Sequence, residues 1–133
     1  TLILLIKNKK IGFSIFLNLA SVTILNQLLK RILQRPRPTE FRIVEESGYS
    51  FPSGHSMVSM AFYGYLIYLI YKYVENKYIK WISIIMLSIL ICSIGVSRIY
   101  LGVHYTSDVL GGFLISISYL IIYISAVNKF LIE

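Results

Sequence analysis

A chain of 133 residues that is 56% hydrophobic and only 14% charged lies outside the composition of soluble domains, which carry about 25% charged residues. A mean hydropathy of +0.72 excludes a disordered tail and a coiled coil, and it speaks against an ordinary soluble enzyme. The net charge of +7 is spread between apolar runs instead of being gathered on one water-exposed face, a pattern of membrane topology and not of nucleic-acid binding.

In chain order, residues 1–6 are apolar but too short to cross a membrane, and they are expected to be the end of an earlier span. Four longer apolar stretches follow, 11–29, 57–73, 81–96 and 109–127. Each approaches the roughly 20 residues with which a helix crosses a hydrocarbon core of about 30 Å. Their runs are continuously apolar and lack the alternation of membrane β-strands, so helices are the spanning structure that remains. The expected fold is an all-α, polytopic membrane helix bundle with about four transmembrane helices, residues 1–133 forming a single membrane-embedded domain. Cys92 is the only cysteine and lies within an apolar run, where it reads as a small packing residue.

Alternating spans place Lys7, Lys9, Lys10, Lys72, Lys77, Lys80 and Lys129 on one side of the membrane and Lys30, Arg31, Arg35, Arg37, Arg42 and Arg98 on the other. The second side also carries Glu40, Glu45, Glu46 and Asp108, and some of its cations have chemical work to do. Once these are discounted, the positive-inside rule makes the lysine side cytoplasmic and turns the Arg-rich loop outward. Tyr71, Tyr73, Tyr78 and Trp81 cluster at the lysine side as an aromatic belt. Phe41, Tyr49 and Phe51 in the outward loop are read as interfacial anchors.

Three polar segments map to the outward face. The first is Lys30-Arg31-Ile32-Leu33-Gln34-Arg35-Pro36-Arg37-Pro38, at the end of the first stretch. The second, Pro52-Ser53-Gly54-His55, opens the next; the third runs from Ser97-Arg98 to His104 and Asp108, between the last two. Lys30, Arg37 and Arg98 converge from three places, and such cations repel one another unless a multiply charged anion lies between them, phosphate above all. Ser53 is a favoured N-cap, and Gly54 lets an anion approach the free N–H groups of a helix start. His104 and Asp108, four apart, share a helical face. A carboxylate on one ring nitrogen fixes the tautomer and leaves the other free as a nucleophile. His55 is then available to protonate a leaving oxygen. Two histidines with one aspartate equal the three protein ligands of a catalytic zinc in number, but the neighbouring Arg and Lys residues would repel the metal. Asn26, one turn before Lys30, is expected either to hold Lys30 toward the bundle interior or to make a helix-to-helix hydrogen bond unrelated to catalysis, and Gly112 with Ser116 to let the last helix pack closely.

Lys30-x6-Arg37-Pro38, Pro52-Ser53-Gly54-His55 and Ser97-Arg98-x5-His104-x3-Asp108 together resemble the three-part signature of the type 2 phosphatidic acid phosphatase superfamily, in the family's order and without substitution at its defining positions. The resemblance covers about residues 30–108 by motif and the other helices by architecture. It implies a metal-independent phosphatase without a cofactor, working through a phosphohistidine: His104 attacks phosphorus, Asp108 orients it, His55 protonates the leaving alkoxide. Lys30, Arg37, Ser53, Gly54 and Arg98 bind the phosphate oxygens. Membrane members commonly have six spans, so this chain is expected to be the C-terminal part of that architecture. The implied partners are the lipid bilayer and a lipid phosphate, with phosphatidylglycerophosphate, phosphatidic acid and undecaprenyl pyrophosphate all plausible. The expected location is a bacterial plasma membrane, the site facing outward. A phosphotransferase would use the same histidine with an acceptor other than water. A vanadium-dependent haloperoxidase shares the site but belongs to soluble relatives, and a scaffold would need no His104–Asp108 pair.

Overall fold

The computed structural model describes residues 7–132, so the expected stub of an earlier span lies outside the described residues. Four helices follow one another: α1 (Lys9–Leu33), α2 (Gly54–Tyr73), α3 (Lys77–Tyr100) and α4 (Thr106–Val127), the last continued by a π-helical turn, Asn128–Ile132. Side-chain caps set three of the starts. Asn8 accepts from the Lys10 N–H at 3.0 Å, Ser53 from the Ser56 N–H at 3.4 Å, and Asn76 from the Ile79 N–H at 3.0 Å. Helix α1 ends because Gln34 turns left-handed (φ +48°) and Pro36 and Pro38 cannot continue it. Every helix begins before its apolar stretch, and α1 and α3 also run past its end, since capping and not apolarity decides where the backbone stops.

Helix α2 is the hub. It packs against α1, α3 and α4, whereas α3 and α1 touch α4 far less. By length and apolarity α1, α3 and α4 with its π turn each qualify to cross a membrane; α2 does not, where about four spanning helices were expected. The difference follows from its position. Enclosed by three neighbours, α2 exposes little surface and tolerates His55, Ser56, Ser59 and a series of tyrosines. The outer helices instead turn Ile24, Ile85, Met86, Ile89, Ile121 and Ile122 outward.

Two apolar clusters line the interior: Ile11, Tyr65, Leu69, Leu120, Tyr123 and Val127 toward the lysine end, and Val22, Met57 and Ala61 toward the other. Lipid is as apolar as these side chains, so helix association needs close approach and interhelical hydrogen bonds. Ser14 shares a 2.8 Å hydrogen bond with the Tyr65 hydroxyl, the Tyr119 hydroxyl donates to the Asn18 carbonyl at 3.1 Å, and Tyr123 donates to the Ser14 carbonyl. Ser116 donates to the Met57 carbonyl at 2.6 Å, and a Cβ at Gly112 would lie 3.2 Å from the Ser53 carbonyl oxygen and 3.3 Å from the Met57 nitrogen. The Gly112–Ser116 pair thus seats α4 on the start of α2.

Because the atoms facing Gly112 belong mostly to backbone, they have little room to yield. Gly112→Val is expected to lower stability by about 1–3 kcal/mol through overpacking, read as an earlier unfolding transition of the detergent-solubilised protein.

Candidate active site

At the end of the bundle away from the lysines, the loop 34–53 folds back over the helix ends. Arg37 organises it, donating to the carbonyls of Ser47 (3.1 Å), Gly48 (3.2 Å) and Val103 (3.2 Å). The Ile43 N–H bonds the Leu101 carbonyl at 2.9 Å, and Gly102 (φ +72°) passes so close to the Phe41 carbonyl that no side chain fits there. These contacts bring the first and third polar segments together. The second joins them through the Ser53 N–H, which donates to the Asp108 carbonyl at 3.1 Å.

Asp108 is fully buried and lies in the first turn of α4. Its Oδ2 accepts from the Tyr105 N–H at 2.8 Å, from the Ser50 hydroxyl and from His104 Nδ1 at 3.4 Å; its Oδ1 accepts from Arg35 Nη1 at 3.0 Å. His104 is buried as well, and its Nε2 lies 3.1 Å from Arg37 Nη1. A guanidinium only donates, so Nε2 carries the lone pair and Nδ1 the proton that faces Asp108, a tautomer assigned from its partners. That is the protonation state a nucleophilic imidazole needs.

The cations are gathered around an internal anion. Glu46 sets Oε2 3.2 Å from Arg37 Nη1 and Oε1 3.0 Å from Arg98 Nη1, so one carboxylate spans both guanidiniums. Burial draws Arg37 below the ordinary arginine range while Glu46 raises it, and the group stays charged. Lys30 Nζ donates to the Tyr49 carbonyl at 2.8 Å, and its stem lies 3.9 Å from the position a Cβ would take on Gly54. Ser53 is buried and occupied as the α2 cap. His55 is exposed on the first turn of α2. With Gly54 and Arg98 it heads a groove of about 590 Å³ that runs over α2 between α1 and α3, walled lower down by Leu19, Val58, Phe62 and Ile94.

All eight residues singled out from the sequence therefore stand at one end of the bundle. Of the two tasks weighed for Asn26, the hydrogen bond between elements is the one seen: its amide donates to the Pro52 carbonyl at 3.3 Å and tethers the Pro-Ser-Gly-His turn to α1, while Lys30 is held from the loop. Phe51 packs its ring on Gly111 of α4 and so braces the site; Phe41, 90% exposed, and Tyr49, 40% exposed, are free to act as anchors. Three participants were missed. Arg35 had a readable signal, because residues two apart in an extended Arg-Pro-Arg-Pro segment share a side. Ser50 and Glu46 had none, since Ser50 meets Asp108, 58 residues away, and Glu46 joins Arg37 to Arg98, which lies 52 residues from it.

A family model described as the PAP2 superfamily matches residues 11–132. Among similar proteins, phosphatidylglycerophosphatase B of Bacillus subtilis is 39% identical over 104 residues, covering 77% of this chain and 51% of its own. Dolichyldiphosphatase 1 of Dictyostelium discoideum is 32% identical over 108 residues, covering 78% of this chain and 47% of its own. A solved structure, the transmembrane PAP2-type phosphatidylglycerolphosphate phosphatase from Bacillus subtilis, superposes with a TM-score of 0.80 at 33% identity, over 90% of this chain and 60% of that one. The chain thus spans about half the length of these curated relatives.

Ser50 is fully buried, and its hydroxyl donates to an ionised carboxylate. Ser50→Ala is expected to cost about 1.5–3 kcal/mol, the range for a hydrogen bond to a charged group, measured by thermal unfolding in detergent.

Proposed function

This chain belongs to the PAP2 superfamily, and on that premise we propose that it is a metal-independent lipid-phosphate phosphatase that acts through a phosphohistidine at His104. It is an integral membrane protein, and the observation that carries the reading is one connected array: Asp108 on His104 Nδ1, Arg37 on His104 Nε2, and Glu46 bridging Arg37 to Arg98. An oriented imidazole stands beside two guanidiniums already able to share the oxygens of one anion.

In the proposed reaction Arg37 turns from His104 Nε2 to the phosphate oxygens, and the freed Nε2 lone pair forms an N–P bond as the P–O bond to the lipid breaks. His55, as imidazolium, gives its proton to the departing alkoxide. Phosphoryl transfer spreads charge over three non-bridging oxygens, and these are met by Arg37, Arg98, Lys30 and the Gly54 N–H that opens α2. The positive end of the α2 dipole adds to them. Water then attacks phosphorus and passes a proton to the now neutral His55, and the N–P bond breaks. His104 recovers its lone pair and inorganic phosphate leaves. Asp108 keeps His104 in the required tautomer throughout and faces the positive charge that develops on the ring.

The groove below His55 supports a lipid leaving group. The proton donor stands at its head, and its lower walls suit a hydrocarbon chain. Phosphatidylglycerophosphate is the first substrate to test, because the similar Bacillus protein and the solved structure are both named for it. The proposed orientation sets the lysine-bearing helix ends in the cytoplasm and the site at the outer leaflet of a bacterial plasma membrane.

Phosphate release by the detergent-purified protein, with a chelator present, is to be measured on phosphatidylglycerophosphate, phosphatidic acid and undecaprenyl pyrophosphate. The expected result is chelator-resistant release, highest on phosphatidylglycerophosphate and absent in a folded His104→Ala variant. Release that persists in His104→Ala removes the nucleophile assignment. Product that appears on an added alcohol in preference to water makes the protein a phosphotransferase.

A further inference from the structure

Among the cations at the site, Arg35 stands apart. Arg37 and Arg98 hold Glu46 between them, whereas Arg35 binds the Asp108 carboxylate. Asp108 has no exposed side-chain surface, and a carboxylate in that position needs partners on both oxygens. Three donors, from Ser50, Tyr105 and His104, crowd onto Oδ2. Arg35 alone holds Oδ1, and it is the one partner of Asp108 with a permanent positive charge. Contacts to a single oxygen leave a carboxylate free to swing about its Cβ–Cγ bond. A contact to the second oxygen stops that rotation and fixes the direction in which Oδ2 meets His104 Nδ1.

Arg35 is itself fixed. The same Nη1 donates to the Ser107 hydroxyl at 2.7 Å, the guanidinium lies over the Tyr105 ring at 4.5 Å, and its own carbonyl accepts from the Ser50 N–H at 2.7 Å. The loop after α1 is thereby bolted to the first turn of α4 through the residue that aims the nucleophile. A guanidinium that both stacks on a ring and donates in a fixed fork is not replaced by an ammonium.

We propose that Arg35 is a positioning residue that acts through Asp108: by holding Oδ1 it sets the orientation of the Asp108–His104 pair and so the rate of attack by His104 Nε2, without touching the phosphate. This rests on the reading of His104 as the nucleophile. Outer partners that orient a metal-ligating histidine are worth about 10–100-fold in metal affinity or activity, and a nucleophilic histidine depends on its orienting partners in the same way.

The test uses the full chain in detergent with phosphatidylglycerophosphate as substrate and inorganic phosphate as a probe of ground-state phosphate binding. Arg35→Ala is expected to lower kcat by about 10–100-fold, with KM and the phosphate inhibition constant left within about twofold, the split expected when only transition-state stabilisation is lost. The side chain of Arg35 is 38% exposed, so a soluble guanidinium can reach its place. Methylguanidinium is expected to restore turnover to Arg35→Ala and not to His104→Ala. Wild-type turnover in Arg35→Ala, a rise in KM and phosphate constant with kcat intact, or a folded variant that methylguanidinium does not rescue each overturns the assignment. If Arg35→Ala does not fold, Arg35→Lys decides: a fall in kcat of at least about threefold with the phosphate constant unchanged supports the role, and wild-type kcat or a weakened phosphate constant overturns it. Failure of the underlying reading looks different. Wild-type protein that releases no phosphate, or His104→Ala that still does, ends the nucleophile assignment and the role of Arg35 with it.

Discussion

A buried negative charge at the end of a membrane helix bundle is the constraint from which the rest of the site follows. Asp108 reaches no water, so its ionised form requires donors from the protein on every side. Supplying them recruits the loop through Arg35 and Ser50 and the α3–α4 turn through Tyr105 and His104. The α2 start is tied to the same residue by the backbone bond from Ser53. One residue therefore caps α4, closes the loop and orients the imidazole. Arg37 does the complementary work, combining three loop carbonyls with His104 Nε2 and Glu46. Assembling the site and folding the loop are the same event.

The bilayer dictates the remainder of the architecture. With little hydrophobic drive between helices in lipid, the bundle is joined by small residues and polar side chains, as Gly112, Ser116, Ser14 and the tyrosines Tyr65, Tyr119 and Tyr123 show. Helix α2, enclosed by its neighbours, carries both the interior polar groups and His55. Because α1 and α3 both lean on α2 and scarcely on each other, a groove remains over α2 that leads from apolar depth to the cations at the surface.

The four helices were legible because apolarity at this length has few interpretations, although the apolar stretch understated each helix by its polar ends. Stretch 81–96 became Lys77–Tyr100, for example, once Asn76 supplied the cap. His104 and Asp108 were legible as a pair because helical spacing of four is a local rule. Lys30, Arg37, His55 and Arg98 were legible as a group because alternating spans send three separate segments to one face. What escaped was everything fixed by the irregular loop 34–53. No periodicity predicts that Ser50 reaches Asp108, that Glu46 bridges two arginines, or that the Asn26 amide goes to the Pro52 carbonyl instead of helping Lys30.

The same contacts bear on the proposed orientation, which by raw charge count is nearly undecided, seven basic residues against six. On the site side, Arg35 is engaged by Asp108, and Arg37 and Arg98 share Glu46, so two of that face's six positive charges are balanced within the protein. On the other side, Lys72 lies over the rings of Tyr68 and Tyr73, Lys80 over Tyr71 and Lys129 over Phe130. An aromatic ring attracts an ammonium without cancelling its charge, and such pairs suit side chains that snorkel at the membrane surface. The charge that remains to act on topology is therefore concentrated at the lysine ends. That asymmetry supports a cytoplasmic lysine face and an outward phosphate site more firmly than the count of residues does.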